Sequence, residues 1–228
     1  VLGVAWTMLN PLLTMLAMTI VFSQVFRFSV QDYPVYVLSA LTAWNFFAQT
    51  TVHSMNSLVW GGGLLGRVYI PRAIFAVSAA GTGLVNLFMA IIPLIIIMLF
   101  TGVSVHLTLL YLPIPILLMT MFTLGIGLFL STLAIYFIDV VNMYEIILTI
   151  WFYLTPIVYP IDILPDHLSW ILVVNPMYFF IELFRIPAYS GSIPGKGLLI
   201  PSIVYAISSL FIGAWFFSRK VDEIAYRV

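Results

Sequence analysis

No Asp, Glu, Lys or Arg occurs between Ala73 and Ile138. A helix needs about 20 apolar residues to cross the hydrocarbon core of a bilayer, so this stretch holds two crossings joined by a short loop. Soluble domains carry charge on about a quarter of their residues, whereas here 7% are charged and 63% are hydrophobic. The chain is therefore that of a membrane protein. Its apolar runs are continuous rather than alternating with period two, which favours an all-α polytopic bundle over an outer-membrane barrel. The expectation is a single transmembrane domain over residues 1–228.

Applying the same length rule along the chain predicts six spans, near 2–25, 33–58, 73–100, 107–137, 141–159 and 197–217. The fourth exceeds the minimum, so it must tilt, kink at Pro113 or Pro115, or extend beyond the hydrocarbon. The segment 160–196 is different, because Asn175-Pro176 divides its apolar residues and it carries Asp162, Asp166, Glu182 and Arg185. Neither half can span alone. Two short helices re-entering from one side would need protein or a cavity around their backbone, while a single crossing would put the chain ends on opposite sides.

Positive charge sets orientation better than net charge does. With six spans, one side receives the loop 61–72 and the tail, with Arg67, Arg72, Arg219, Lys220 and Arg227; the other receives Arg27, Arg185 and Lys196 among four acids. The first side is expected to be cytoplasmic, with both termini on it. The chain opens inside an apolar run without Met or a basic region, which predicts that residues precede Val1. Net charge is zero, so no nucleic-acid partner is expected. The absence of cysteine excludes disulfides and thiol chemistry within these residues and leaves the redox compartment open.

Polar residues inside the spans fall in stripes. At about 100° per residue, Thr7, Asn10, Thr14 and Gln24 share a face of the first span, close to Trp6. Asn45, Gln49, His53 and Asn56 share a face of the second, and Glu145, Thr149, Phe152, Pro156 and Tyr159 share one of the fifth. Such faces should avoid lipid. One reading makes them packing glue, bonding across helices at about 0.6 to 2 kcal/mol each. The other makes them the lining of a polar path, with aromatic rings offering apolar faces to sugar rings. Any one residue alone fits packing; the three stripes together favour a path. Phe152 and Tyr153 point about 100° apart, so both cannot be central to it.

Glu145 is the one acid within a predicted span, which by default suggests function, but it lies about a turn from the cytoplasmic end and can also reach water there. His53, with no second His or carboxylate on its span, reads better as a helix-to-helix donor than as a proton relay or metal ligand. Thr123, Gly127 and Ser131, and separately Ser209 and Gly213, repeat at four-residue spacing and read as close packing.

Enzyme chemistry finds little support. "WGGGLLGR" (60–67) lacks the GxxxxGK[ST] spacing of a phosphate loop. His53, His106 and His167 lie far apart with no HExxH-like pair. Ser190 and Ser192 have no activating base and fall in a Gly/Pro-rich loop. Neither clustered acids for a metal nor clustered basic residues for a phosphate are present.

In the loop 61–72, three glycines form a joint after the second span; Leu64, Leu65 and Val68 form the apolar side of a helical turn; and Pro71 suits the first turn of the third span. The segment is either a plain cytoplasmic loop with positive-inside arginines or a short helix that docks on another protein, with Arg67 and Tyr69 as anchors.

Five segments in order resemble the membrane subunits of type 2 ABC exporters for polysaccharides and polyol phosphates, the permeases of O-antigen, capsule and teichoic acid. They are "WTMLNPLLTMLAMTIVFSQVF" (6–26), "YPVYVLSALTAWNFF" (33–47), "NSLVWGGGLLGRVYIPRAI" (56–74), "FIDVVNMYEIILTIWFYLTPIVYP" (137–160) and "LVVNPMYFFIELFR" (172–185). The most specific elements are "VYIPR" (68–72), "LTPIVYP" (154–160) and Asn175-Pro176.

The resemblance implies that Leu64, Leu65, Arg67, Val68, Tyr69, Pro71 and Arg72 contact a partner ATPase, which alone would bind ATP and Mg. It implies a homodimer with two such ATPases in the bacterial inner membrane, moving a lipid-linked glycan or polyol phosphate. Trp6, Asn10, Thr14, Asn45, Gln49, His53, Glu145, Thr149, Phe152, Tyr153 and Tyr159 would be candidates for the channel lining. Pro160, Pro165, Asn175, Pro176, Glu182 and Arg185 would belong to an external re-entrant helix pair between spans five and six, near the channel exit.

Two departures stand out. The family commonly has Arg where this chain has Ile138, so Asp139 is left to cap the fifth span, and the basic N-terminal cytoplasmic helix expected of the family does not fall within residues 1–228, in keeping with a start before Val1. Other readings are a permease of the same class for a drug or simple lipid, and an ion- or proton-coupled transporter using Glu145 and His53.

Overall fold

The computed structural model describes the backbone of residues 2–25, 30–60 and 71–224 and the side chains of residues 9–22, 30–60, 71–165 and 167–220. These residues form helices and turns with no strand among them. In chain order the α-helices are α1 (Leu2–Met18), α2 (Tyr33–Trp60), α3 (Ile74–Thr101), α4 (Pro113–Tyr136), α5 (Val140–Leu154), α6 (Trp170–Val174), α7 (Pro176–Arg185) and α8 (Lys196–Ile224). By length and composition α3, the Leu107–Tyr136 stretch and Lys196–Lys220 are each able to cross a membrane. With 28 residues α2 is as long as α3, about 42 Å, but its polar stripe lowers its hydropathy.

The centre of the bundle is α2, which packs against α1, α3, α4, α5 and α7. It starts where Asp32, at φ 47°, turns the chain and its carbonyl accepts from the amides of Val35 and Tyr36; Asp is among the few residues that tolerate this region. Gly102, at φ 79°, ends α3 in the left-handed conformation usual at helix C-termini.

The helices differ from the sequence expectation at four points. The first span leaves α-geometry at Met18 and continues as a π-helix, Thr19–Val25. The overlong fourth stretch is a separate 3-10 turn, Leu107–Tyr111, followed by a helix opening at Pro113, where the missing N–H costs nothing. The third helix begins at Ile74, so Pro71 lies in the turn before it and its carbonyl accepts from the Ile74 amide. The fifth ends at Leu154 rather than at Tyr159. Thr155 precedes Pro156, which disfavours helical backbone, and it is extended (φ −102°, ψ 133°). Pro156 and Tyr159 therefore lie past the helix end, and the face counted from Glu145 stops at Phe152. Asp139 makes no capping bond to α5, so its expected role is not seen.

Residues 160–196 do contain two short helices broken at Asn175-Pro176, α6 and α7. Pro176 opens α7, and the Asn175 side chain caps it by accepting from the Met177 amide at 3.1 Å. Packed against α2 and α8, α7 buries nearly all of its length. A π-turn, Ile186–Ser190, extends it to Gly191.

Close packing at small residues holds α8 to α4, as the spacing of Ser209 and Gly213 led one to expect, and their partner on α4 is Gly125. Gly213 and Ser209 face Gly125, and a Cβ on either glycine would overlap backbone of the opposite helix. The Ser209 hydroxyl donates to the Phe122 carbonyl at 2.8 Å. Gly127 and Ser131 turn instead toward α2, where Ser131 and Ser54 share a hydrogen bond of 3.0 Å. Thr123 is buried beside them.

Candidate functional site

Two polar features stand out against this apolar bundle. The first is a cleft of about 480 Å³ on α2, bounded by α3 and by Leu148 of α5. From α2 it is lined by Gln49, Thr50, His53 and Asn56, and from α3 by Thr82 and Asn86. A narrower space of about 100 Å³ continues from it between Asn10 of α1, Asn45 and Asn86. Spacings of three and four residues put the α2 group on one helix face, and Thr82 and Asn86 answer it from α3. The α2 stripe is the one expected from the sequence, whereas Thr82 and Asn86 are not among the expected lining residues. Their four-residue spacing around Gly83, in an otherwise apolar span, was the available signal.

None of the side chains of Asn10, Asn45, Gln49, His53, Asn56 or Asn86 hydrogen-bonds to another described residue. Glue between helices would show such bonds; these groups open onto the cleft or onto the narrower space instead. Thr50 differs, since its side chain lies where the two spaces meet but its hydroxyl is buried, without a partner. Gly83 lies directly against it, and a Cβ there would overlap that hydroxyl.

The second feature is the non-helical segment after α5. Its successive carbonyls are bonded by side chains from elsewhere: Arg185 Nη2 donates to Pro156 O at 2.8 Å and to Ile157 O at 3.1 Å. Tyr33 donates to Val158 O at 2.6 Å and Tyr36 to Tyr159 O at 3.1 Å. Backbone that leaves a helix inside a membrane protein must find partners in protein or water, and here α2 and α7 supply them. Arg185 also pairs with Glu182 at 2.6 Å, and both are buried. Asn175 ties the segment to α6 and α7: its Oδ1 accepts from Trp151 Nε1 at 2.7 Å and its Nδ2 donates to Thr155 at 2.9 Å. Tyr189, half-buried, donates to Gln31 O at 2.6 Å and packs edge-on against Tyr36. Burial raises the Tyr189 pKa, with Asp32 adding to the rise and Arg185 opposing it.

The remaining candidates are scattered. Glu145 and Thr149 are exposed on α5, and the Thr149 hydroxyl donates to the Glu145 carbonyl one turn back. Tyr153 is 62% exposed, while Phe152 is half-buried edge-on against Trp44, so the two do part as the helical angle requires. Tyr159 is half-buried and donates to the Tyr153 carbonyl. The Thr14 hydroxyl bonds to its own helix at Asn10. Pro160 and Pro165 flank the 3-10 turn Ile161–Ile163, Pro165 being exposed. Of the loop candidates, Pro71 is exposed and Arg72 half-buried; Leu64, Leu65, Arg67, Val68 and Tyr69 lie outside the described residues, as does the Trp6 side chain. Among the described residues no cluster of three or more His, Cys, Asp or Glu is suited to a metal ion.

Known proteins resemble this chain over most of its length. An O-antigen export system permease protein RfbA of Klebsiella pneumoniae is 30% identical over 187 residues, covering 81% of this chain and 72% of that protein. A second from the same organism is 28% identical over 186 residues. The O-antigen export system permease protein RfbA of Myxococcus xanthus is 24% identical over 226 residues, covering 98% of this chain and 87% of its own length. The family model described as ABC-2 type transporter matches residues 1–189. With its long apolar helices the chain is a multi-pass membrane component of transport, and it belongs to the ABC-2 type transporter family.

Proposed function

We propose that this chain is the transmembrane subunit of an ATP-driven exporter that carries a lipid-linked polysaccharide, of the O-antigen kind, across the bacterial inner membrane. The observation that carries the reading is the row of unpaired amides on α1, α2 and α3. Polar groups left without protein partners in a membrane bundle mark a path for a polar solute, and the relatives are named for O-antigen export.

In this reading 1–228 is one domain with six spans, both termini cytoplasmic, and α6 and α7 form the external re-entrant pair between spans five and six. Two copies enclose the path, lined by Asn10, Asn45 and Gln49 and by aromatic residues of α5. Two separate ATPase subunits bind ATP and Mg. They dock on the loop 61–72, with Arg67 and Tyr69 as anchors, and convert closure around nucleotide into movement of α2 and α3. No step of hydrolysis belongs to this chain.

Co-purification from native membranes tests the assembly. An ATP-binding protein in equal amount with this chain is expected, and its consistent absence would sink the proposal. Arg67→Glu with Tyr69→Ala is expected to break that association; if association and export both survive, the loop is not the docking element. Transport that follows pH and persists without the ATPase would point instead to ion coupling.

A further inference from the structure

Which repeat unit the path accepts is written in the chemistry of the cleft on α2. Its volume, about 480 Å³, lies within the range of about 300 to 1,000 Å³ typical of small-molecule sites. Its polar lining is Gln49, Thr50, His53, Asn56, Thr82 and Asn86, with no Lys, Arg, Asp or Glu among the lining residues. Side-chain amides and hydroxyls both donate and accept, as the hydroxyls of a sugar do. An anion has different needs, because taking it out of water costs far more than taking a hydroxyl unless a paired cation repays the loss, and neither Lys nor Arg lines the cleft.

Thr50 sits at the narrow end of that lining. Thr42, Thr51 and Thr132 each donate to the carbonyl four residues back, the ordinary way for a helical Thr to satisfy its hydroxyl. Thr50 does not, although it is only 3% exposed and its oxygen is buried where the cleft narrows. Its oxygen lies against Gly83 and is closed to a solute as the helices stand, so the accessible amides, His53 and Thr82 define the contact surface. Glu145 stands one turn from Leu148 on α5, on the side from which the proposed topology brings substrate, and its carboxylate further disfavours an anion.

We propose that this cleft is a binding subsite for one uncharged, hydroxyl-rich sugar unit, and that it turns away repeat units bearing phosphate or carboxylate. The inference rests on the exporter reading and narrows it to neutral glycans as against polyol phosphates.

The 228 residues contain no cysteine, so Asn86→Cys, or separately Thr82→Cys, places a single thiol in the cleft. Each variant of the full chain, with its ATPase in inside-out membrane vesicles, is treated with two methanethiosulfonate reagents, one uncharged and carrying glucose, the other anionic and carrying a sulfonate. Rates are read by residue-mapped mass spectrometry and corrected by the rates with free cysteine. The glucose reagent is expected to modify both positions, with a corrected rate about tenfold or more above that of the anion. Equal corrected rates overturn the proposal, and so does failure of both reagents at both positions. The exporter reading fails separately, by loss of the ATPase on purification, which these rates do not decide.

Discussion

The guanidinium of Arg185 lies 3.8 Å from the centre of the Tyr36 ring. The two side chains also share a task, because Tyr36 and Arg185 bond neighbouring stretches of one carbonyl row, Tyr159 on one side and Pro156 and Ile157 on the other. A buried arginine thus does for an unwound segment what helical amides would have done had α5 continued.

Removing that arginine should be severe. Arg185→Met leaves Glu182 buried without its counter-charge and two carbonyls without donors, and losing one partner of a buried pair costs about 3 to 5 kcal/mol. Arg185→Lys should fall between, because a point charge cannot serve Glu182 and both carbonyls as a planar fork does. Thermal unfolding in detergent reads both, and wild-type stability in Arg185→Met would mean that this contact does not hold the segment.

At Asn175 one side chain makes three bonds, to Trp151, Thr155 and Met177. Asn175→Ala should cost more than the about 0.5 to 2 kcal/mol of an ordinary helix cap. Freed from its acceptor, the Trp151 indole should also change its fluorescence. An unmoved spectrum with unchanged stability would contradict the arrangement.

A packed glycine and an open one should respond differently to Ala. Gly213→Ala presses a methyl onto the Gly125 carbonyl and should destabilise by about 1 to 3 kcal/mol. Gly81→Ala meets nothing within 4 Å and should leave stability unchanged or raise it by up to about 1 kcal/mol. Comparing the two unfolding midpoints checks the α4–α8 contact with its own control.

For the cleft, Asn86→Leu separates solute contact from packing. Its amide bonds to no described residue, so stability should stay within about 0.5 kcal/mol of wild type, while export falls and the ATPase still co-purifies. A loss of about 0.6 to 2 kcal/mol would instead mark Asn86 as glue.

What the sequence disclosed follows from what is periodic. The α2 stripe was legible because Asn45, Gln49, His53 and Asn56 recur at helical spacing, and Asn175-Pro176 marked the break between α6 and α7 because Asn caps and Pro opens a helix. The end of α5 at Leu154 was misjudged, since "WFYLTPIVYP" stays apolar through the point where Pro156 stops the helix. Hydropathy does not register that stop. Arg185 was visible as a charge, but its partners Pro156 and Tyr36 are far away in sequence and bond through backbone or ring, which no spacing rule reaches. Gly125 escaped notice because its partner, Gly213, comes from the other end of the chain.

Cells in which this chain is deleted offer the most direct measurement of the exporter account: the amount of surface glycan against the amount of lipid-linked glycan held inside. The account predicts that polymer is still made, accumulates on the cytoplasmic face and returns to the surface when the wild-type chain is restored. Polymer reaching the surface undiminished without the chain would contradict it.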